Sequence, residues 1–153
     1  EIVACRSEAE ELDGLAAWIK AQPEDQIRLF DIGVLCSRRA DVERVRDALN
    51  AANIKTVQLQ AGSTDDRSVA GVRITTMHRA KGLEFFAVAI PFLAEDLFPP
   101  AGALNAAVDA ADRADILDQY RSLLHVAATR SKRALRISWS GQPTSLIPRA
   151  SFK

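Results

Sequence analysis

The sequence predicts a three-layer α/β domain in which a mainly parallel β-sheet is flanked by helices. Apolar segments of strand length alternate along the chain with segments whose apolar residues recur at helical spacing. Several of the strand-like segments are continuously apolar, as expected of strands that helices cover on both faces. The chain has 153 residues, of which 48% are hydrophobic, so it can build its own core. We therefore expect one domain over residues 1–153.

Six strands and three main helices are expected in alternation. The strands are predicted over residues 2–5, 31–36, 54–59, 72–77, 86–92 and 134–139. The helices are predicted between Ser7 and Pro23, over about residues 40–52, and from residue 112 to about residue 132. A polar loop, a loop with a short helix, and an irregular tail are expected over residues 62–71, 97–111 and 141–153.

Local signals support the first and the last of these helices. Ser7 and Glu10 have the spacing of a capping box at the start of the first helix. The apolar face of this helix consists of Leu12, Leu15, Trp18 and Ile19. The apolar face of the last helix consists of Ile116, Leu117, Tyr120, Leu123, Leu124 and Ala127.

The charges are balanced overall but unevenly distributed. The formal net charge is zero, yet residues 120–153 contain seven Lys or Arg residues and no Asp or Glu. A basic segment of this kind faces either phosphate groups or solvent, and the charge alone leaves both alternatives open.

The two cysteines predict no disulfide framework. Cys5 and Cys36 lie in apolar segments, which indicates buried free thiols, and no CxxC pair or His/Cys cluster suits a metal ion. No apolar segment reaches transmembrane length and no signal peptide is visible, so we expect a cytoplasmic protein without a membrane partner. Because the chain does not begin with Met, we expect it to be part of a longer protein.

One segment combines residues that suit the binding of a polyanion. Residues 75–85 read TTMHRAKGLEF. Thr76 at a strand end and the basic side chains of His78 and Arg79 can hold phosphate oxygens, and His78 can also stack on a base. Gly82 permits close approach of the backbone to a ligand, and Glu84 can accept hydrogen bonds from sugar hydroxyls. The alternative is an ordinary capped turn with solvated charges.

Further basic residues follow other predicted elements. Arg38 and Arg39 come directly after the strand over residues 31–36, and ligands of parallel sheets bind at the carboxyl ends of strands. Arg130 lies near the end of the last helix, where the helix dipole favours a cation even without a catalytic role. The chain has neither a G-x-x-x-x-G-K-[ST] phosphate loop nor a G-x-S-x-G nucleophile elbow.

Two segments together resemble motifs V and VI of the UvrD/Rep family of superfamily 1 helicases. The segment VRITTMHRAKGLEFFAVAI, residues 72–90, resembles motif V, and YRSLLHVAATRSKRALRIS, residues 120–138, resembles motif VI. DIGVLCSRR, residues 31–39, and GQPTSLIP, residues 141–148, are similar to flanking segments of the same half of these helicases. The two motifs are specific as a pair, in this order and at this spacing.

The resemblance implies the second, C-terminal RecA-like motor domain of an ATP-dependent DNA helicase. ATP with Mg²⁺ would bind between this domain and an N-terminal RecA-like domain that carries the phosphate loop. No cofactor is then expected on this domain alone. Arg130 matches the arginine finger of motif VI, and Glu84, close to Gly82, matches the acidic residue of motif V near the ribose.

The same resemblance implies contact with single-stranded DNA. Thr76 and His78 match positions near the DNA strand in this family. Arg38, Arg39 and Arg79 are expected to contribute to the same groove because they follow the ends of predicted strands. The expected partners are therefore single-stranded DNA and the N-terminal motor domain of the same polypeptide.

The sequence departs from the family pattern at several positions. Motif VI usually has Glu, Arg and Tyr where this chain has Gln119, Ser122 and His125, and the family Arg after the first long strand is Ser37 here. About a dozen residues separate the third and fourth predicted strands, so the helical domain that larger members insert is expected to be absent. A degenerate helicase-like module that binds protein or DNA without ATP turnover is the alternative, and a nuclease–helicase fusion also stays open.

Overall fold

One parallel β-sheet with helices on both faces organises the chain. The computed structural model describes residues 1–23, 25–60, 62 and 64–148. The strands among these residues are β1 (Ile2–Cys5), β2 (Ile32–Cys36), β3 (Thr56–Gln58), β4 (Val72–Thr76), β5 (Phe85–Ile90) and β6 (Ser131–Ser140). The α-helices are α1 (Glu8–Lys20), α2 (Arg39–Ala51), α3 (Ala101–Asn105) and α4 (Ala110–Ala128).

The strand order across the sheet is β1-β6-β5-β2-β4-β3, and every neighbouring pair is parallel. The register places Cys36 opposite Thr76 at one edge and Phe85 opposite Ser131 at the other. All strands therefore begin at one edge, here called the amino edge, and end at the opposite carboxyl edge. The predicted three-layer α/β architecture is confirmed.

Two hydrophobic clusters lie on the two faces of the sheet. Val34 and Leu35 are consecutive residues of β2, so their side chains point to opposite faces. Val34 belongs to the cluster under α1 and α2, whereas Leu35 belongs to the cluster under α4. Each fully buried side chain of this kind stabilises the fold by roughly 1.5–3 kcal/mol relative to exposure. This two-sided burial explains why the central strands are continuously apolar.

The first helix begins where the capping signal indicates. Ser7 Oγ accepts a hydrogen bond from Glu10 N at 3.2 Å, as an N-cap residue should. The Glu10 carboxylate, however, accepts from the backbone N–H of Arg6 at 2.8 Å rather than from that of Ser7. The predicted N-cap is confirmed. The second bond of a capping box, from the N-cap N–H to Glu10, is replaced by a bond from the preceding residue, Arg6.

The boundary between α4 and β6 differs from the sequence prediction. The helix ends at Ala128 rather than near residue 132, and the strand begins at Ser131 rather than at residue 134. Phe85 N donates to Arg130 O at 2.9 Å, and Ser131 then pairs with Phe85. Pairing with β5 thus extends the strand, and this long-range interaction leaves no signal in the local helical pattern. Lys132 is consequently a strand residue.

The remaining predictions can be compared directly with the described residues. Cys5 and Cys36 are buried free thiols, as predicted. The loop over residues 97–111 contains α3 and the start of α4, while residues 141–148 form neither helix nor strand. Ser63 and residues 149–153 of the predicted loop and tail lie outside the described residues. None of the helices described is both long and apolar enough to cross a membrane.

A close approach at Gly33 fixes the position of Phe85 at the start of β5. A Cβ at Gly33 would lie 2.6 Å from Phe85 Cδ2, and the Phe85 ring is itself buried. We expect Gly33→Ala to lower the free energy of unfolding by about 1–3 kcal/mol, because the buried Phe85 ring would have to leave its packed position to admit the Cβ. Urea denaturation measures this loss.

The matched control is Gly102→Ala in α3. No atom lies within 4 Å of the added Cβ there, so this substitution should be neutral or stabilise the protein slightly. If Gly33→Ala unfolded at the same urea concentration as the unaltered chain, the ring would not be confined as described.

Candidate functional site

The connection between β4 and β5 carries most of the predicted site residues from one edge of the sheet to the other. Because both strands are parallel, residues 77–84 must run from the carboxyl edge back to the amino edge. A 3₁₀ helix over Met77–Ala80 packs Met77 and Ala80 into the cluster under α4. Thr76 therefore lies at the carboxyl edge, whereas Gly82 and Glu84 lie at the amino edge.

Gly82, Glu84 and Arg130 come together at the amino edge. They line a cleft of about 570 Å³, which we call the amino-edge cleft. Gly82 has a φ of +83°, so glycine is favoured there by the backbone conformation. The other residues that line this cleft are Asp65, Arg67, Leu83, Phe85 and Lys132.

The Arg130 guanidinium joins the end of α4 to the wall of the amino-edge cleft. Its Nε donates to the carbonyl oxygen of Val126 at 3.1 Å, and its Nη1 lies 3.5 Å from the carbonyl oxygen of Leu83. Its Nη2 lies 3.3 Å from Thr129 Oγ1. These hydrogen-bond partners are neutral, so the guanidinium charge, which also interacts with the nearby Glu84 carboxylate, can attract an anion into the cleft.

Glu84 lies on the same wall as an exposed carboxylate. Its Oε2 is 2.7 Å from Lys132 Nζ. The hydrogen bond and the positive charge of Lys132 hold the pKa of Glu84 below its usual value, so the group is an ionised acceptor near neutral pH. An exposed ion pair of this kind exchanges partners easily, which leaves the carboxylate free to accept from a ligand hydroxyl.

The carboxyl edge brings together the residues that follow β2 and β4. Arg38 comes two residues after Cys36, which pairs with Thr76. The Arg38 guanidinium forms a fork with the buried Asp41 carboxylate, with distances of 2.9 and 2.7 Å. Arg39, the first residue of α2, is exposed. Of the predicted basic pair, Arg38 is therefore paired with Asp41, whereas Arg39 has no ion pair among the described residues.

His78 and Arg79 lie beside α4. The exposed His78 ring is edge-on to Tyr120, with centroids 6.4 Å apart. His78 lines a hollow of about 490 Å³ together with Lys81 and Ser122. Arg79 is half-buried, and its Nε has no hydrogen-bond partner among the described atoms. The five predicted nucleic-acid residues are thus divided between the carboxyl edge and the α4 side of the sheet.

Three charged residues, two of them buried, were missed by sequence reasoning. Glu11 lies on the apolar face of α1, Arg73 lies within β4, and Arg67 lines the amino-edge cleft. A signal existed for the first two, because each interrupts an otherwise apolar pattern in its element. Arg67 had no such signal, since it occurs in a polar loop where basic residues are common.

The fold is that of helicase C-terminal domains. The chain is similar to the solved C-terminal domain of a possible DNA helicase from Lactobacillus plantarum, with a TM-score of 0.70, 19% identity, and coverage of 97% of this chain and 78% of that one. It is also similar to the C-terminal domain of the DEAD-box protein Dbp5, with a TM-score of 0.55, 15% identity, and coverage of 99% and 77%.

Sequence similarity identifies the family. Residues 54–142 match the profile of the UvrD-like helicase C-terminal domain, and the chain belongs to this family. The ATP-dependent DNA helicase srs2 of Schizosaccharomyces pombe is 40% identical over 67 residues, which cover 44% of this chain and 6% of srs2. The ATP-dependent DNA helicase PcrA of Staphylococcus aureus is 35% identical over 89 residues, which cover 54% of this chain and 12% of PcrA.

Proposed function

We propose that this chain is the C-terminal motor domain of an ATP-dependent DNA helicase or translocase. The observation that carries the proposal is the convergence of Gly82, Glu84 and Arg130 on the amino-edge cleft, although Arg130 is distant from the other two in sequence. ATP would bind between this cleft and an N-terminal RecA-like motor domain. Arg130 would then stabilise the negative charge that develops on the transferred phosphoryl group.

The other side chains of the amino-edge cleft have supporting roles in this proposal. Glu84 accepts hydrogen bonds from the ribose hydroxyls, and Gly82 keeps the adjoining backbone in the conformation that exposes Glu84. Lys132 orients the Glu84 carboxylate until the sugar binds. The cleft therefore supplies recognition and charge stabilisation, while the phosphate loop belongs to the opposite domain.

In this proposal, Mg²⁺ is not held by the residues of this domain alone. Among the residues described, no group of three or more His, Cys, Asp or Glu side chains could hold a metal ion. The two carboxylates of the amino-edge cleft, Asp65 and Glu84, are bonded to Arg73 and Lys132. We propose that Mg²⁺ is held by the ATP phosphates and the opposite domain, where it neutralises phosphate charge.

A groove for single-stranded DNA is proposed along the residues at the carboxyl edge and beside α4. Arg39 offers an uncompensated charge, Arg38 and Arg79 add cationic side chains, and Thr76 offers a hydroxyl group. His78 presents an exposed ring on which a base can stack. Such contacts favour a single strand without strong sequence preference.

A non-catalytic interaction module is the second candidate function. It is favoured by the bonds of Arg130 to its own helix and by Gln119, Ser122 and His125, which replace the usual motif VI residues. In this case Arg130 caps α4, and the domain binds DNA or protein without promoting hydrolysis. The Arg130 substitution argued in the Discussion distinguishes the two functions.

The chain alone is expected not to hydrolyse ATP. No phosphate loop occurs in its 153 residues, so it supplies only one wall of a site that needs two. Phosphate release measured with and without single-stranded DNA tests this expectation. DNA-stimulated hydrolysis that stays with the chain through further purification would contradict the proposed division of the site.

The chain is expected to bind single-stranded DNA weakly and only at low ionic strength. Each phosphate contact should contribute about −0.7 to the slope of log affinity against log salt concentration. Fluorescence anisotropy with a labelled oligonucleotide at several salt concentrations measures this slope. Tight binding that is insensitive to salt would contradict the proposed groove.

The site of DNA binding can be located with substitutions. The double variant His78→Ala and Arg79→Ala should weaken binding, whereas Lys20→Ala, an exposed residue at the end of α1, should leave it unchanged. If the double variant bound DNA as well as the unaltered chain, the DNA site would have to lie elsewhere.

A further inference from the structure

We propose that Arg67 is a further phosphate-binding residue of the amino-edge cleft. It is held in place by a loop that is hydrogen-bonded to the buried side chain of Arg73. The proposal rests on the proposed function, because it assigns a ligand group within the same cleft. The ligand chemistry is the polyphosphate of a nucleoside triphosphate.

Arg73 is a buried cation that organises the loop before β4. Its side chain has no exposed surface. Its Nε donates to Asp65 Oδ1 at 3.0 Å, and its Nη2 donates to the carbonyl oxygen of Asp66 at 2.7 Å. Its Nη1 donates to the carbonyl oxygens of Val69 and Gly71, each at 2.7 Å. Because a buried guanidinium without partners is costly, these bonds fix the loop conformation.

Arg67 lies in the middle of this loop and is held from two sides. Its Nη2 forms an ion pair with Asp31, which lies directly before β2. Its Cζ is 4.8 Å from the centroid of the Phe30 ring, within the range of a cation–π interaction. About half of the Arg67 side chain, 52%, remains exposed. The guanidinium is thus pre-positioned, with donors left over for a ligand.

The sheet order places this guanidinium in line with the other cleft residues. β6, β5, β2 and β4 are neighbours in that order. Their amino ends carry Arg130, Glu84, Asp31 with its partner Arg67, and Arg73. The amino-edge cleft therefore has Arg130 on one side and Arg67 on the other.

The charges in the cleft favour an anion between these two arginines. Asp65 is bonded to Arg73, and Glu84 is bonded to Lys132, so both cleft carboxylates already have cationic partners. Arg130 is bonded only to neutral groups. Planar guanidinium groups bind phosphate oxygens in a bidentate manner, which suits a linear polyphosphate extending across the cleft.

The test measures binding of ATP and of inorganic tripolyphosphate by titration calorimetry at low ionic strength, using a polypeptide that joins this domain to a phosphate-loop motor domain. We expect Arg67→Ala to weaken binding of both anions by about tenfold, and Arg67→Lys to restore part of the loss. Arg46→Ala is the matched control, because Arg46 is similarly exposed and ion-paired with Asp47 on α2. It should bind both anions as the unaltered chain does.

Asp31→Asn separates phosphate binding from a role in fastening the loop. This substitution removes the ion pair but keeps the Arg67 guanidinium and its contact with the Phe30 ring, so a phosphate-binding role predicts a smaller loss of binding than that of Arg67→Ala. A loss of binding equal to that of Arg67→Ala would show that Arg67 only fastens the loop, and would overturn the proposal.

The remaining outcomes distinguish this proposal from the proposed function. If Arg130→Ala weakened binding of both anions while Arg67→Ala did not, the assignment of Arg67 would be wrong. The proposed binding of nucleotide in the amino-edge cleft would still be supported. If neither Arg67→Ala nor Arg130→Ala changed nucleotide binding or kcat, the nucleotide cleft itself would be overturned.

Discussion

Replacing Arg130 by alanine is expected to lower kcat for DNA-stimulated ATP hydrolysis by about 10³-fold or more. The assay requires a polypeptide that joins this domain to a phosphate-loop motor domain, because the proposed site is shared between the two. The affinity for ATP should change far less, since an arginine finger acts mainly on charge that develops in the transition state. Steady-state kinetics and a separate nucleotide-binding titration measure the two quantities.

The position of Arg130 in the structure explains how it could act in this way. The guanidinium lies at the junction of α4 and β6, where it is 3.5 Å from the Leu83 carbonyl oxygen, next to Glu84. Its hydrogen-bond partners are carbonyl and hydroxyl oxygens, which compete weakly with a triphosphate for a charged donor. In the proposed function, rotation of the side chain toward the cleft would exchange these partners for phosphate oxygens.

Arg133→Ala provides the matched control for this experiment. Arg133 is an exposed cation near the start of β6, and its Nη1 donates to Gln26 Oε1 at 3.1 Å. It does not line the amino-edge cleft. We expect kcat to stay unchanged for this variant. If Arg130→Ala also left kcat unchanged while lowering the melting temperature, Arg130 would act only as a helix-terminal cation. That result would support the non-catalytic interaction module.

Much of the architecture could be predicted from the sequence because its causes are local. The helices α1 and α4 each bury one face, so their apolar residues recur at helical spacing. The central strands are buried on both faces, so their apolar runs are unbroken. The Ser7 cap is likewise set by a side chain three residues from its partner. The start of β6 was misplaced because Ser131 is recruited by pairing with Phe85, a contact between distant residues.

The division of the candidate site between two edges could not be predicted from the motif alone. TTMHRAKGLEF is continuous in sequence, which suggested one ligand site. The sheet is parallel, however, so the same residues must return across it, and Glu84 ends beside Arg130 rather than beside Thr76. The linear motif therefore connects two sites at opposite edges, and only the strand directions reveal this separation.

Buried charges were the second class of feature that the sequence did not specify. A charged residue within an apolar pattern is ordinarily interpreted as a solvated position or an edge. Glu11 and Arg73 instead have partners outside their own helix and strand, and these partners are not apparent before the fold is known. Arg73 is bonded to the loop that precedes β4, whereas Glu11 connects α1 with β6 and with Phe92, which follows β5.

Glu11 fastens α1 to the carboxyl edge of the sheet. Its Oε1 accepts from Phe92 N at 2.7 Å and from Ser138 Oγ at 2.8 Å. Phe92 has a φ of +63°, an unfavourable conformation for an aromatic residue, and the bond to Glu11 helps to hold it. We expect Glu11→Ala to lower the free energy of unfolding by about 2–4 kcal/mol, because it leaves the buried Phe92 N–H without a partner and opens a cavity. Denaturant titration measures this loss.

Glu11→Gln should keep both hydrogen bonds but remove the dependence on pH. Burial, reinforced weakly by Glu8 and opposed by the hydrogen bonds and by Arg136, raises the pKa of Glu11 in the folded state. The folded state therefore holds this proton more tightly than the unfolded state, whose pKa is about 4.3. The contribution of Glu11 to the free energy of unfolding is therefore fully present below the unfolded-state pKa. It is lost as the pH rises through the pKa of Glu11 in the folded state. From about pH 4 upward, the free energy of unfolding of the glutamine variant should rise relative to that of the unaltered chain until Glu11 is fully ionised. Denaturant titration of both proteins at several pH values measures this difference. A difference that narrows instead would mean that the hydrogen bonds from Phe92 and Ser138, together with Arg136, outweigh burial and lower the pKa of Glu11.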